Sequence, residues 1–255
     1  MNNISDNISF LLVEPFLGGN IGASARALKN MGFSKMELLN PRQHLSDEAY
    51  AFAHGARDVL ESAVVYTSLE QAINDKAIVA ALSRRLGKTR GISLPIKEGA
   101  RKIVEFALTN KVVIVFGRED KGLLNEEIDR CGFIITIPSH QAQPSLNLAQ
   151  SVMIAAYEIA GAMPMQTELT HSDAVTIVSQ EQLIGLYSHI NEILKLLDYG
   201  MRGSEDLEAD IMRNLSHLIG RYGLTDWEVK MLHGLCGRIK KNIVKSEKGK
   251  SPKPI

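Results

Sequence analysis

The feature that most constrains this 255-residue chain is an alternation, sustained over its first 160 residues, between short β-branched apolar runs and segments of helical period. The runs are ISFLLVEP, SKMELLN, AIVAALS, KVVIVFG and FIITIP; the helical segments are NIGASARALKNMG, KEGARKIVEFALTN, LNEEIDRC and SLNLAQSVMIAAYEIAG. Strands that alternate with helices close as crossovers, so the pattern predicts an α/β fold: a mainly parallel sheet with helices on both faces. KVVIVFG is apolar on both alternating faces and belongs at the centre of that sheet. In the first helix Ile21, Ala25, Leu28 and Met31 share a face, with Asn20 as the expected N-cap and Gly32 as the stop.

From Met163 to about Val178 the periodicity gives way to MPMQTELTHSDAVTIV, polar and proline-containing, which reads as a linker. Beyond it three helical patterns, EQLIGLYSHINEILKLLDYG, SEDLEADIMRNLSHLIGRYG and TDWEVKMLHGLCGRIKKNIVK, are separated by glycine-containing turns. The expected organisation is a first domain over residues 1–162, a linker over 163–179, a helical module over 180–246 and a basic tail over 247–255. Net charge is zero, which by itself argues against a nucleic-acid partner. The zero is a sum of unlike parts, however: 17 basic and 17 acidic residues up to 160, then 5 and 11 up to 237, then 7 and 1. A tail carrying Arg238, Lys240, Lys241, Lys245, Lys248, Lys250 and Lys253 suits phosphates, and equally suits a solvated end.

Several classes are disfavoured. The start, MNNISDNISF, lacks the basic residues and apolar run of a signal peptide, and no stretch approaches the length needed to cross a bilayer, so the expectation is a cytoplasmic protein without a membrane partner. Cys131 and Cys236 stand far apart without a CxxC or Cys/His cluster, which leaves no disulfide framework and no metal site to expect. Gly87-Lys88-Thr89 matches the end of a phosphate-binding P-loop, but Leu82 stands where its first glycine belongs. EPFLGGNIGASAR looks like a glycine-rich anion loop running into a helix, yet it is not GxGxxG. HExxH, GxSxG and the kinase set are missing.

What remains is a combination at the carboxyl ends of expected strands, where open α/β sheets place ligands. It comprises Asn20 with Arg26, then Phe116-Gly117-Arg118-Glu119-Asp120-Lys121-Gly122-Leu123, then Ile137-Pro138 followed by Ser145-Leu146-Asn147-Leu148. The order NxGxxxR, FGxExxGL and IPxxxxxxSLNL resembles the three motifs of the SPOUT class of RNA methyltransferases, in its TrmH-like ribose 2′-O branch. Residues 183–200, LIGLYSHINEILKLLDYG, further resemble members of that branch that modify the 5′-most nucleotide of the tRNA anticodon loop.

The resemblance implies a trefoil knot near the carboxyl end of the α/β domain, an exception to the rule against threaded chains. It implies S-adenosylmethionine as cofactor, cradled by backbone around Leu82, Ser83 and Arg84, Gly117, Ile137, and Pro144, Ser145 and Leu146. It also implies tRNA as partner and a homodimer whose substrate site is assembled across the interface. Its catalytic positions fall here on Arg26, Asn20, Glu119 and Asn147. Arginine stays protonated in proteins, so Arg26 is read as a stabiliser of the developing alkoxide and a clamp on phosphate rather than as a base. A solvent-facing arginine on the first helix would share its spacing. Glu119 and Asn147 are read as ordering the loops and the ribose, with helix capping or a salt bridge as the rival for Glu119. Gly117 reads as a point of close ligand approach or as a plain strand-ending turn.

Arg85, Lys88 and Arg90, with Arg84, make a phosphate track beside the ribose pocket. Relatives in that branch carry a Gly-Thr-Ser-like run where this chain has Ala81-Leu82-Ser83, so the cofactor edge there is expected to differ in shape. The alternatives are the same domain aimed at ribosomal RNA, and an RNA-binding protein that keeps the fold without catalysis.

Overall fold

The computed structural model describes residues 3–84, 92–164, 175–202 and 205–248. Seven strands, β1 (Ile8–Val13), β2 (Met36–Leu39), β3 (Val64–Tyr66), β4 (Ile78–Leu82), β5 (Ser93–Pro95), β6 (Val112–Phe116) and β7 (Phe133–Thr136), form one sheet in the order β3-β2-β1-β6-β4-β7-β5. Every neighbouring pair is parallel, so the sheet is wholly rather than mainly parallel. β6, the expected central strand, is the middle one of the seven.

Strand alternation divides the core in two. Phe10, Leu12, Ile78, Ile114 and Phe116 face α1 (Gly18–Asn30), α2 (Asp47–Phe52), α3 (Arg57–Glu61), α5 (Ile96–Ala107) and α7 (Leu148–Ala162). Leu11, Val13, Val79, Val113 and Val115 pack on the opposite face with Ile73 of α4 (Leu69–Ile73) and Ile128 of α6 (Asn125–Ile128). Both faces are thus covered by helices. Each fully buried Phe, Leu or Ile contributes about 1.5–3 kcal/mol over leaving it in water, which is why the continuous apolar runs become the inner strands.

Helix α1 corrects one expectation. It begins at Gly18 with Leu17 in the N-cap position, so Asn20 lies inside the first turn and does not cap it. The stop is as expected: Gly32 takes φ +81°, and the amides of Gly32 and Phe33 reach back to the carbonyls of Lys29 (3.1 Å) and Leu28 (2.9 Å), a Schellman ending. Its glycines serve packing rather than a phosphate. A Cβ at Gly22 would lie 2.0 Å from the Ala49 carbonyl oxygen of α2.

After α7 the described chain resumes in α8 (Gln180–Leu196), a short antiparallel ribbon of β8 (Met201–Arg202) and β9 (Glu205–Asp206), α9 (Leu207–Tyr222) and α10 (Asp226–Lys248). Val178, Leu183, Leu186, Ile219 and Val229 form a small core of their own. These helices dock at the amino ends of the strands. The amide of Gln180 donates to the Lys76 carbonyl just before β4 (2.9 Å), and Asn110, just before β6, accepts from the Ile177 amide (2.8 Å) and donates to the Val175 carbonyl (3.0 Å). Tyr222 lies under the Lys102 ammonium (4.5 Å), and buried His217 faces Asp129 (3.7 Å).

At the same end of the sheet Lys76 and Glu37 form a buried ion pair, Nζ to Oε1 2.8 Å. Asp75 joins it at 2.7 Å and links in turn to Lys111 at 2.9 Å. Burial pulls the Lys76 ammonium towards neutrality, but the two carboxylates outweigh it and hold its pKa above the ordinary lysine value. Among the described residues no helix is long and apolar enough to cross a membrane, and no group of three or more His, Cys, Asp or Glu side chains could hold a metal. Both cysteines are free and buried.

Candidate active site

At the carboxyl ends of β4, β6 and β7 the chain leaves a cavity of about 340 Å³. All eight positions expected to cradle a cofactor line it: Leu82, Ser83 and Arg84 after β4, Gly117 after β6, Ile137 after β7, and Pro144, Ser145 and Leu146 before α7. Phe116, Leu123 and Leu148 add apolar walls, and Arg118, Asp120, Lys121 and Ser151 add polar ones. This is a size and a mix of surfaces that suits a nucleoside-sized ligand.

Gly117 borders the cavity for a reason of its own chain. A Cβ there would lie 2.2 Å from the Gly122 carbonyl carbon and 2.3 Å from the Leu123 nitrogen, so the space beside it is filled by the returning loop rather than kept clear for a ligand. That loop is a tight hairpin, closed by reciprocal Arg118 and Gly122 backbone hydrogen bonds of 3.2 and 2.9 Å, with Gly122 at φ +67°. The strand-ending turn is therefore the local role of Gly117, and through it the glycine shapes the cavity wall.

The three motifs meet through side chains. Asn147 donates Nδ2 to Asn20 Oδ1 (2.8 Å), and Asn20 donates Nδ2 to Glu119 Oε1 (3.1 Å). The Glu119 carboxylate also accepts the backbone amides of Phe16 (3.4 Å) and Leu17 (3.3 Å). The anion at the start of α1 is thus the protein's own Glu119, which performs the capping considered as the rival to a ribose contact. Asn147 is the N-cap of α7, its Oδ1 accepting from the amides of Ala149 (2.9 Å) and Gln150 (3.3 Å). Asn147 thus satisfies two of the amides that a helix start leaves without an intrahelical partner.

Arg26 lies on the exposed side of α1, outside the cavity lining, and makes no ion pair or hydrogen bond among the described residues. Of the expected phosphate track Arg84 is exposed at the cavity edge, while Arg85, Lys88 and Arg90 lie outside the described residues. The same holds for the tail from Gly249 onward.

Sequence reasoning missed Arg118. Its guanidinium holds Glu127 of α6 bidentately (2.9 and 3.0 Å) and Glu14 through Nε (2.8 Å). Hydrogen bonding to both carboxylates raises the Arg118 pKa further, and the same bond holds Glu14 below the usual carboxylate range. The only signal in the sequence was an arginine beside Glu119 in a glycine-bounded loop.

Residues 7–157 match the model of the SpoU rRNA Methylase family. The chain is 34% identical, over 92% of its length and 95% of the relative's, to the tRNA (cytidine/uridine/adenosine-2′-O-)-methyltransferase TrmJ of Pseudomonas aeruginosa. It superposes on the crystal structure of TrmJ from Zymomonas mobilis with a TM-score of 0.75 at 29% identity, covering 91% of this chain and 98% of that one. An AdoMet-bound rRNA methyltransferase from Sinorhizobium meliloti shares the fold at 19% identity and a TM-score of 0.51, covering 64% and 62%.

Proposed function

Because the chain belongs to the SpoU rRNA Methylase family, and several relatives along nearly its whole length are named tRNA 2′-O-methyltransferases, we propose that it transfers a methyl group from S-adenosylmethionine to a ribose 2′-hydroxyl of tRNA. The acceptor we infer is nucleotide 32, the 5′-most of the anticodon loop. The observation that carries this reading is the convergence of the three expected motifs: eight expected cofactor positions border one cavity, and Glu119, Asn20 and Asn147 join its walls to α1. Apolar faces from Phe116, Leu123, Ile137 and Leu148 suit the adenosine part, and the polar Ser145 and Ser151 suit the charged tail. The family's trefoil knot is inferred for the chain that encloses this cavity.

When bound, S-adenosylmethionine supplies an activated methyl group on a sulfonium. The chain has to place a ribose oxygen opposite the leaving sulfur and help that oxygen lose its proton. In our account Arg26 stabilises the developing alkoxide and clamps the neighbouring phosphate, and the proton passes to phosphate or water. The Asn147, Asn20 and Glu119 chain keeps α1 in register with the cavity.

Arg26 is exposed and makes no ion pair or hydrogen bond among the described residues, and beside its helix Phe16, Leu17 and Phe52 are 38%, 45% and 54% exposed. These features support a homodimer that covers this face and completes the substrate site. The enzyme acts in the cytoplasm on tRNA, which Arg84 and the basic tail help to hold through phosphates. Incubation with methyl-labelled S-adenosylmethionine and tRNA transcripts tests the reading. One alkali-resistant internucleotide bond should form, at nucleotide 32. Label entering ribosomal RNA and not tRNA, or a base rather than a ribose, would overturn it.

A further inference from the structure

Consecutive residues of the loop after β6 hold the two ends of one short segment. Arg118 Nε donates to Glu14 at the end of β1, and Glu119 accepts the amides of Phe16 and Leu17, where α1 begins. Glu14 takes a left-handed backbone, φ +45°, with its amide on the Leu39 carbonyl (2.7 Å), so the chain leaves the sheet through a constrained corner. Arg118 cannot easily give way, because its side chain is 11% exposed and its other nitrogens are occupied by Glu127, itself 12% exposed. The connection that aims α1, and with it Arg26, is thereby fixed to the hairpin that lines the cofactor cavity.

We propose that Arg118 is a positioning residue for methyl transfer: through Glu14 it holds the β1–α1 connection, and therefore Arg26, at a set distance from the cofactor loop. This rests on the proposed function, in which Arg26 acts at the reacting oxygen. Arg118 stabilises no charge in the reaction itself. Its effect is on geometry, and small misplacements of a charge stabiliser reduce rates steeply.

The substitution that isolates this role is Glu14→Ala. It leaves the bidentate Arg118–Glu127 contact in place, and Glu14, 44% exposed, takes part in an ion pair of small worth to stability. S-adenosylmethionine affinity by calorimetry should stay within about threefold of wild type, and the single-turnover rate on tRNA should fall by roughly tenfold or more. Glu14→Gln, which keeps an acceptor for Arg118, should fall between. In an Arg26→Ala background the same Glu14→Ala change should alter the rate by less than about twofold, since no arginine remains to be placed. Should Glu14→Ala melt early, Glu14→Gln carries the same comparison.

A single-turnover rate unchanged by Glu14→Ala in an enzyme that methylates tRNA would overturn this inference alone. An equal loss in both backgrounds, or affinity and rate falling together at an unchanged melting temperature, would do the same. A wild type that binds no S-adenosylmethionine would overturn the functional reading, and this inference with it.

Discussion

The amide of Asn147 reaches across the site to the amide oxygen of Asn20, Nδ2 to Oδ1 2.8 Å, joining the start of the last helix of the α/β domain to the start of its first. Asn147 has a second task, since its own oxygen caps α7. Asn147→Ser separates the two, because serine caps a helix about as well as asparagine but is too short to hold Asn20. Stability should stay within about 0.5 kcal/mol, read by denaturant midpoint, while turnover drops by roughly tenfold through loss of alignment. Full turnover in this variant would leave the Asn20 contact without a catalytic purpose.

Arg26→Ala is the direct test of the alkoxide stabiliser. The side chain lies outside the cavity lining, so cofactor affinity should hold within about twofold. Turnover should drop by about two to three orders of magnitude, the scale for losing one preorganised charge partner. Paired measurements of the dissociation constant and the single-turnover rate decide it, and a rate near wild type would return Arg26 to a plain solvent-facing arginine.

Much of this architecture was legible in the chain. The run Val112–Phe116, apolar on both faces, had to be an inner strand, and it is the middle one. The residues bordering the cavity were readable because motif order places them at strand ends. The segment holding α2, α3, β3 and α4 was not, as its elements are three to six residues long and leave no sustained period. β5 is a three-residue edge strand ending in a proline, and the β8–β9 ribbon falls in what reads as a glycine-containing turn and on the first residues of the helical pattern after it. Arg118 was opaque for a different reason: its Glu14 partner stands 104 residues away, and nothing local to a charge tells which distant carboxylate it will meet. The same distance hid Glu119's grip on the amides of Phe16 and Leu17, just before α1.

Lys76→Met probes the buried pair at the other end of the sheet. Removing the ammonium leaves the Glu37 carboxylate buried without its partner, and Glu37 Oε2 already has no hydrogen bond among the described residues. A loss of about 3–5 kcal/mol is expected, and the double change Glu37→Leu with Lys76→Met should recover most of it. Urea unfolding of both variants measures this. A single variant within about 1 kcal/mol of wild type would mean that water reaches the pair.

His217 makes the docking of the helical module sensitive to pH. Burial lowers its pKa, and the nearby Asp129 carboxylate only partly offsets this. The docked state therefore favours the neutral ring. Its contribution is fully present above the unfolded value of about 6.5 and is lost progressively as pH falls below it towards the lower folded value. The melting temperature of wild type should fall between pH 7.5 and 5.5 more than that of His217→Leu, and parallel curves for the two proteins would assign the pH dependence elsewhere.

Which atom receives the methyl group is the central claim, since the fold alone does not decide it. A tRNA carrying a single 2′-deoxy nucleotide at position 32 retains every phosphate and every base and lacks only the acceptor oxygen. Presented to the enzyme with methyl-labelled S-adenosylmethionine, it should bind within a few-fold of the all-ribose tRNA, because phosphates supply most of the affinity, and should take up no label. Methyl incorporation into the deoxy substrate at the normal rate would place the acceptor on a base and contradict the account.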